Sequence, residues 1–486
     1  MIRRIITAVS IFILSNNVHS QVDTKETYKQ FQQQMIGKYN DFRNEANRKY
    51  ADFLRNVWEE YKKRPAIQKP KDDVRPPVVM PEDDRKKNIE DNHIVIKDVI
   101  TPPDPHPQPK PIAPIKENPQ PQEKTVAFMF YETECKIRFP QNRGFVLARC
   151  DKNTLANAWE ELSEMDYNNT IRDCLKFREK HQLCDWAYLN MLKIMSETCC
   201  GETNEATLLT AYIYCQSGYD MRIGVNNGKI YLLYASRNVI YDIGYYSING
   251  KYYYPLEKSD GNMYICDASY PDEKPLNLSI SRAMSLAYVP TEARTIQSER
   301  YPDIKAVVST NKNLIDFYNS YPSSMNGDDF MTRWAIYANT PMDEDTKGKL
   351  YVNIKSILAG LNTKEAVERL LNFVQTGFVY EYDDKIWGCD RAFFAEETLY
   401  YPYCDCEDRS ILFSRLVRDI LGLKVILVYY PGHLATAVRF DDVTNGDYIT
   451  IGNDRYTICD PTYIGAPIGR TMPGMDNQAA KVILLE

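Results

Sequence analysis

The stretch YYPYCDCEDRSILFSRLVRDILGLKV, residues 400–425, predicts a helix with a cysteine in its first turn. Its apolar residues recur at helical spacing and are Ile411, Leu412, Leu416, Ile420 and Leu421. Asp405 can cap the helix, because Asp408 follows three residues later as in a capping box, and Gly422 ends it. Cys406 then lies among unpaired backbone N–H groups, which lower the pKa of a thiol and can bind an oxyanion. The pattern therefore predicts a nucleophilic thiolate at Cys406.

This thiolate needs a cationic partner, since the adjacent carboxylates of Glu407 and Asp408 raise the pKa of a thiol. The chain has five histidines, of which only His181 and His433 belong to regions with a folded pattern. His433 opens the predicted strand HLATAVRF directly after a Pro-Gly break, so its side chain can reach an adjacent site. We therefore predict that His433 is the general base for Cys406.

Asp460 follows another strand pattern in the segment CDPTY, residues 459–463, where its carboxylate can orient the imidazole of His433. The combined motifs resemble the core of the transglutaminase-like superfamily of papain-like cysteine enzymes. The motif residues are Cys406, Asp408, Ser410, His433, Asp460, Pro461 and Thr462. The resemblance covers roughly residues 345–475, about a quarter of the chain.

The resemblance implies a catalytic triad and no metal or other cofactor. Cys406 would be the nucleophile, His433 the general base and acid, and Asp460 the residue that orients the imidazole. It also implies an acyl-enzyme formed from a peptide or protein amide and resolved by water or by an amine. By analogy an aromatic side chain donates to the oxyanion, and the candidates are Trp387, Tyr401 and Tyr403.

The chain departs from the family pattern just before the nucleophile, where Tyr403 and Cys404 stand in place of the usual glycine. A zinc site formed by Cys404, Cys406 and His433 is disfavoured, because Cys-x-Cys with one distant histidine is poor ligand spacing. We expect Cys404 instead to form a disulfide with Cys389 or to act as a redox gate on Cys406.

A similar pattern of helix and strands occurs earlier in the chain. Setting Gly218 against Gly422 aligns the two helices, and YICDASY (264–270) resembles TICDPTY (457–463). In this register Glu202 takes the place of Cys406, and no histidine follows on the strands. We therefore expect a duplicated α+β fold with helix-plus-antiparallel-sheet cores. The predicted parts are a degenerate transglutaminase-like domain (125–274), a connector (275–340) and a transglutaminase-like catalytic domain (341–486).

Residues 1–20 have the pattern of a secretory signal, in which Arg3 and Arg4 precede a short apolar run and cleavage follows Ser20. This predicts an exported protein, periplasmic or secreted. Residues 64–124 contain 14 of the 27 prolines and predict an extended polyproline-II linker.

Residues 21–63 predict a long amphipathic helix, over about 24–63, with an 11-residue repeat. Its three rows start at Tyr28, Phe31 and Met35 and lie on one face of the helix. Three interpretations of this face stay open. They are docking on the folded part of the chain, self-association or a partner helix as in a coiled coil, and peripheral contact with a membrane.

The composition allows a sizeable core, since 44% of the 486 residues are hydrophobic. The net charge of −7 argues against nucleic acid as the main partner. Two functions remain. The first is an exported cysteine enzyme that acts on peptide or protein amides, more by hydrolysis than by crosslinking because water is in excess. The alternative is a catalytically vestigial binding or scaffold protein that uses the long helix and the degenerate repeat.

Overall fold

The computed structural model describes residues 42–71, 74–102, 107–119, 122–142, 145–164, 167–327 and 329–486. The predicted signal peptide and the first part of the predicted long helix, residues 21–41, lie outside these ranges. The described chain combines helices with mainly antiparallel sheets, which confirms the predicted mixture of both element types. None of its described helices has both the length and the apolar character needed to cross a membrane.

The helices of the described residues are numbered in chain order. They are α1 (residues 42–56), α2 (Glu82–Arg85), α3 (Lys152–Glu164), α4 (Asn168–Lys180), α5 (Asp185–Cys200), α6 (Asn204–Gln216), α7 (Lys312–Asn319), α8 (Arg333–Asn339), α9 (Glu344–Leu358), α10 (Thr363–Thr376), α11 (Asp383–Ile386), α12 (Ala395–Tyr400) and α13 (Cys406–Leu416). A short 3₁₀ turn, Phe330–Thr332, precedes α8, and a π-helical turn, Val417–Leu421, extends α13.

The strands are numbered in the same way. They are β1 (Glu59–Tyr61), β2 (Asn92–His93), β3 (Asp98–Ile100), β4 (Glu123–Phe130), β5 (Thr133–Pro140), β6 (Met221–Asn226), β7 (Lys229–Ala235), β8 (Asn238–Ile240), β9 (Tyr246–Ile248), β10 (Lys251–Pro255), β11 (Met263–Cys266), β12 (Arg294–Gln297), β13 (Lys305–Val308), β14 (Ser324–Asn326), β15 (Val379–Tyr380), β16 (Tyr403–Cys404), β17 (Val425–Tyr430), β18 (His433–Arg439), β19 (Asp447–Ile451), β20 (Asp454–Cys459) and β21 (Lys481–Leu484). The strand predicted over HLATAVRF is confirmed as β18, and the strand pattern before Asp460 is confirmed as β20.

Two large sheets share one connectivity. The first has the order β1-β11-β6-β7-β10-β9, and the second has the order β2-β19-β20-β18-β17-β21-β3. Strands β6, β7, β9, β10 and β11 therefore occupy the same places as β17, β18, β19, β20 and β21. All corresponding pairs are antiparallel, and a helix, α6 or α13, precedes each set. The two halves of the chain thus repeat one arrangement of a helix followed by five strands.

One of the two sequence similarities that predicted the duplication joins strands that are not equivalent in the two sheets. YICDASY begins on β11, which pairs with β6 and corresponds to β21. TICDPTY begins on β20, which pairs with β18 and corresponds to β10. The two segments end strands at different positions of the sheet, so their likeness does not mark equivalent residues.

Helix α1 packs onto the folded part of the chain. Its buried face includes Ala46, Tyr50 and Leu54, and the ring of Tyr50 lies 4.6 Å from that of Trp159. The prediction of one continuous helix to residue 63 is wrong, because α1 ends at residue 56 and β1 then pairs with β11. The predicted single face is wrong as well, since Phe53 is exposed while Tyr50 is buried. Over its described residues the repeat docks on the chain itself, and self-association, a partner helix and membrane contact stay predictions.

The proline-rich segment is not a free linker over its described residues. Its strands β2 and β3 form the two edges of the second sheet. Between them Ile94 is buried against the face of that sheet formed by Ile426, Val428 and Tyr430. Alternate side chains of a strand point to opposite faces, so this face needs an apolar cover that the helices on the other face do not supply. Ile94 and Ile96 of this segment contribute to that cover.

Candidate active site

Helix α13 begins at the predicted nucleophile, Cys406, and has the predicted capping box. The Asp405 carboxylate accepts hydrogen bonds from the backbone N–H groups of Glu407 and Asp408, at 3.0 and 3.5 Å. In return, the Asp408 carboxylate accepts the N–H of Asp405 at 3.2 Å and that of Phe393 at 2.8 Å. These bonds fix the start of the helix and thereby the position of the thiol.

His433 and Asp460 form a buried pair. His433 is the first residue of β18, and Asp460 directly follows β20, the strand next to it. The imidazole Nε2 lies 2.8 Å from the Asp460 carboxylate, and both side chains are almost completely inaccessible to solvent. Nδ1 of His433 is also buried and has no hydrogen-bond partner among the described residues. The bond to Asp460 therefore orients the imidazole through Nε2, while Nδ1 can still accept a proton.

The carboxylate of Asp460 is held from both sides. Its second oxygen accepts the backbone N–H groups of Thr462 and Tyr463 at 2.9 and 3.1 Å. The backbone oxygens of Asp460 and Tyr463 accept bonds from Nε2 of Gln375, at 3.0 and 2.8 Å. Gln375 is buried on α10 and was missed by the sequence analysis. A lone glutamine within an apolar helix face was the available signal.

Backbone contacts join the start of α13 to the start of β18. The sulfur of Cys406 accepts a hydrogen bond from the backbone N–H of Leu434, the residue after His433. One turn later, the Ser410 hydroxyl donates to the carbonyl oxygen of Leu434 at 2.8 Å. The fold thus brings the predicted residues Cys406, His433 and Asp460 to one junction between a helix and a sheet.

The surroundings of Cys406 do not favour a resting thiolate, contrary to the expectation from its helix position. Burial raises the pKa of the Cys406 thiol well above its usual value, and the carboxyls of Asp405 and Glu407 raise it further. The N–H of Leu434 acts in the opposite direction but is the smaller effect. The thiol is therefore neutral at rest, because only 4% of the residue is exposed and water cannot solvate a charge there.

An acidic cluster includes Glu407, the residue next to Cys406. The carboxylates of Asp383, Asp390 and Glu407 approach within 4.8 Å of one another, a distance at which oxygen ligands can share a cation. Burial and the neighbouring Glu407 raise the pKa of Asp383 to about 8. Glu407 also accepts a hydrogen bond from Nε1 of Trp334 at 2.7 Å. A proton held in this cluster at neutral pH reduces the negative charge that faces Cys406.

The three aromatic candidates for an oxyanion donor have different surroundings. Trp387 and Tyr401 pack together with ring centroids 4.9 Å apart, and the Tyr401 hydroxyl donates to Asn319 at 2.8 Å. Tyr403 is 39% exposed. The sequence analysis overlooked Tyr380, whose pKa is raised by burial and next by the proximity of Cys406. Tyr380 is thus an aromatic hydroxyl close to the thiol.

The cysteines next to the nucleophile are not bridged. All twelve cysteines of the chain are free thiols. Cys389 is exposed and Cys404 is buried, so the predicted disulfide between them is not formed. Cys404 lies on β16, which pairs with β15.

The corresponding junction of the first half contains Asn204, Lys229 and Glu257. Asn204 begins α6, and its Oδ1 accepts the N–H of Ile230, the second residue of β7, at 2.9 Å. Lys229 opens β7 just as His433 opens β18. The backbone N–H of Leu256 donates to the carbonyl oxygen of Leu232 on β7. In the second half, Cys459 pairs with Thr436 on β18 in the same way. Glu257, the residue after Leu256, therefore corresponds to Asp460, the residue after Cys459.

These equivalences correct the predicted register, in which Glu202 took the place of Cys406. Asn204 is the residue equivalent to Cys406. The alignment on Gly218 and Gly422 is displaced by two residues, because the path from Cys406 to Gly422, which includes the π-helical turn, is two residues longer than the path from Asn204 to Gly218. The ion pair between Lys229 and Glu257, 2.8 Å long, then replaces the pair between His433 and Asp460.

No family model, curated protein or solved structure matches the chain. The case for a cysteine enzyme therefore rests on the residues themselves. It depends on the cap at Asp405, the buried pair formed by His433 and Asp460, and the hydrogen bond from Leu434 to Cys406.

Proposed function

We propose that the C-terminal half of the chain is a transglutaminase-like cysteine enzyme that acts on amide bonds of peptides or proteins through an acyl-enzyme. The observation that carries this proposal is the buried pair of His433 and Asp460. It leaves Nδ1 of His433 without a partner among the described residues, at the junction where Cys406 begins α13. An unpartnered, buried imidazole nitrogen is costly for the fold and useful for proton transfer.

In the acylation step the Cys406 sulfur attacks the amide carbonyl while Nδ1 of His433 takes the thiol proton. Because the thiol is neutral at rest, its deprotonation is coupled to the attack. Asp460 stabilises the imidazolium through Nε2. The backbone N–H of Cys406 is the proposed donor to the charge that develops on oxygen, because the N–H groups of Glu407 and Asp408 are used by the Asp405 carboxylate. The C–N bond then breaks, His433 returns the proton to the leaving amine, and a thioester remains on Cys406.

In the second step water attacks the thioester carbonyl while His433 takes a proton from the water. The C–S bond then breaks, the carboxylic acid leaves, and His433 returns the proton to the sulfur of Cys406. An amine in place of water would give a crosslinked product. Hydrolysis is the proposed outcome because water is always present in excess unless the site excludes it. We further propose that the protein works outside the cytoplasm, on the basis of the signal pattern in residues 1–20.

Fluorescein-labelled casein and dansylcadaverine test this proposal together. Purified protein should release fluorescent peptides from casein, and the Cys406→Ala variant should lose this activity by at least a hundredfold. Cys404→Ala is the matched control, because Cys404 is a buried thiol two residues away that has no role in the mechanism. Amine incorporation faster than peptide release would replace hydrolysis by crosslinking as the reaction.

The alternative, a binding or scaffold protein with a vestigial triad, is favoured by one observation. Cys406 is only 4% exposed, so the resting site is closed to a peptide. If Cys406→Ala leaves casein hydrolysis and amine incorporation unchanged from the wild type, the enzyme proposal fails and the scaffold remains.

A further inference from the structure

The junction of Asn204, Lys229 and Glu257 opens into a cleft, unlike its closed counterpart in the second half. The cleft has a volume of about 400 Å³, which lies within the range of small-ligand sites, about 300–1,000 Å³. Apolar residues of β7 and Leu256 line it together with hydroxyls of α6. It therefore combines a binding volume with the position that the candidate active site has in the other repeat.

Charges of both signs alternate along one wall of the cleft. Lys229 pairs with Glu257 at 2.8 Å, and Glu257 also lies 3.4 Å from Lys193. Lys193 in turn pairs with Glu197 on the same helix. These side chains keep between 26% and 48% of their surface exposed, so a ligand can reach them.

We infer that this cleft is a second, non-catalytic site that binds a peptide segment carrying both ammonium and carboxylate groups. The inference rests on the proposed function for the class of ligand, since the equivalent junction of the other repeat would receive a peptide amide. The position of the Cys406 thiol is taken here by the amide of Asn204, which is used to bond β7 and the carbonyl of Gly228. A peptide would therefore be held without being cleaved.

The alternating charges select against ligands of a single sign. A polyanion would meet Glu197, Glu257 and Glu202, and a polycation would meet Lys193 and Lys229. The ammonium groups of a peptide with both charges can pair with the glutamates of the cleft, and its carboxylates can pair with the lysines. In the absence of a peptide, the ion pairs within the cleft keep these side chains in position. Such a site would hold one part of a long substrate while the second half acts on another part.

Fluorescence anisotropy of a labelled dodecapeptide of alternating Lys and Glu tests the inference on the full chain. The wild type should bind it at least tenfold more tightly than a dodecapeptide in which serine replaces every Lys and Glu. Lys229→Met removes a charge of the cleft and keeps the apolar stem, and Thr207→Trp fills the cleft from α6. Each should weaken binding at least tenfold.

Lys136→Met is the matched control, since Lys136 forms an exposed ion pair with Glu134 away from the cleft. It should bind as the wild type does. Equal affinity for the two dodecapeptides would overturn the inference, as would unchanged binding by a folded Thr207→Trp variant. Cys406→Ala should bind with unchanged affinity, so binding is measured separately from catalysis. A protein that binds but does not hydrolyse casein would refute the proposed function alone.

Discussion

Asp405 has two opposite effects on Cys406, the proposed nucleophile. Its carboxylate caps α13 and so fixes Cys406 at the first helical position. The same carboxylate, buried beside the thiol, raises the pKa of Cys406. The cap therefore positions the thiol but disfavours its ionisation, so the proposed reaction requires a base that is already oriented beside it. Asp460 supplies that orientation through Nε2 of His433.

Asp460→Asn should reduce the kcat for casein hydrolysis by roughly 100- to 10,000-fold, because the amide cannot stabilise an imidazolium. The fold should persist, since an asparagine oxygen can still accept the N–H groups of Thr462 and Tyr463. Asp454→Asn, at the half-buried start of β20, is the control and should keep wild-type kcat. A kcat for Asp460→Asn within twofold of wild type would remove Asp460 from the mechanism.

Local signals made the start of α13 predictable. The capping box, the helical spacing of apolar residues and the glycine at 422 all act within a few residues. Distant partners could not be read in this way. Gln375 reaches Asp460 from another helix, and the hydrogen bond from Leu434 to Cys406 depends on how β18 meets α13. The register between the repeats also failed, because a π-helical turn has no clear sequence signal.

Two equivalent glycines show how differently the repeated elements are covered. Gly218 and Gly422 follow their helices and both have positive φ, +97° and +69°. A Cβ added to Gly218 would collide with the backbone oxygen of Lys110 in the proline-rich segment, whereas one added to Gly422 would meet no atom of the described chain within 4 Å. The proline-rich segment is therefore seated against the end of α6.

Gly218→Ala should lower the free energy of unfolding by roughly 2–5 kcal/mol, since it combines backbone strain with a collision that moves the proline-rich segment. Gly422→Ala has only the strain and should cost roughly 1–2 kcal/mol. Urea unfolding of both variants measures the difference. Equal losses would mean that the segment around Lys110 is not packed there.

The whole molecule contains several buried carboxyls whose protons are held more tightly in the folded state. The pKa of Asp383 is raised by burial and by Glu407 to about 8, and that of Glu396 by burial and by Asp343 to about 8. Burial also raises the pKa of Glu397 to about 7. The unfolded chain releases these protons near pH 4, whereas the folded chain keeps them up to pH 7 or 8. Stability therefore falls as the pH rises through this window and levels off above it.

The melting temperature of the wild type should accordingly be lower at pH 8 than at pH 5, by several degrees. Asp383→Asn removes one of the three groups and should make this decrease smaller, while Asp384→Asn, an exposed neighbour, should not. Thermal unfolding followed by circular dichroism at each pH provides the measurement. A melting temperature that rises from pH 5 to pH 8 would contradict the raised pKa values of these carboxyls.

The central claim is that His433 activates Cys406, and the labelling rates of the twelve cysteines by iodoacetamide test it most directly. Mass spectrometry of each cysteine after short exposures near pH 7 gives these rates for the wild type and for His433→Asn. The account predicts that in the wild type Cys406 is labelled faster than Cys404, the buried thiol two residues away. In the variant Cys406 should be labelled at least tenfold more slowly, while the labelling rate of Cys404 stays the same. Labelling of Cys406 no faster than that of Cys404, or unaffected by the loss of His433, would contradict it.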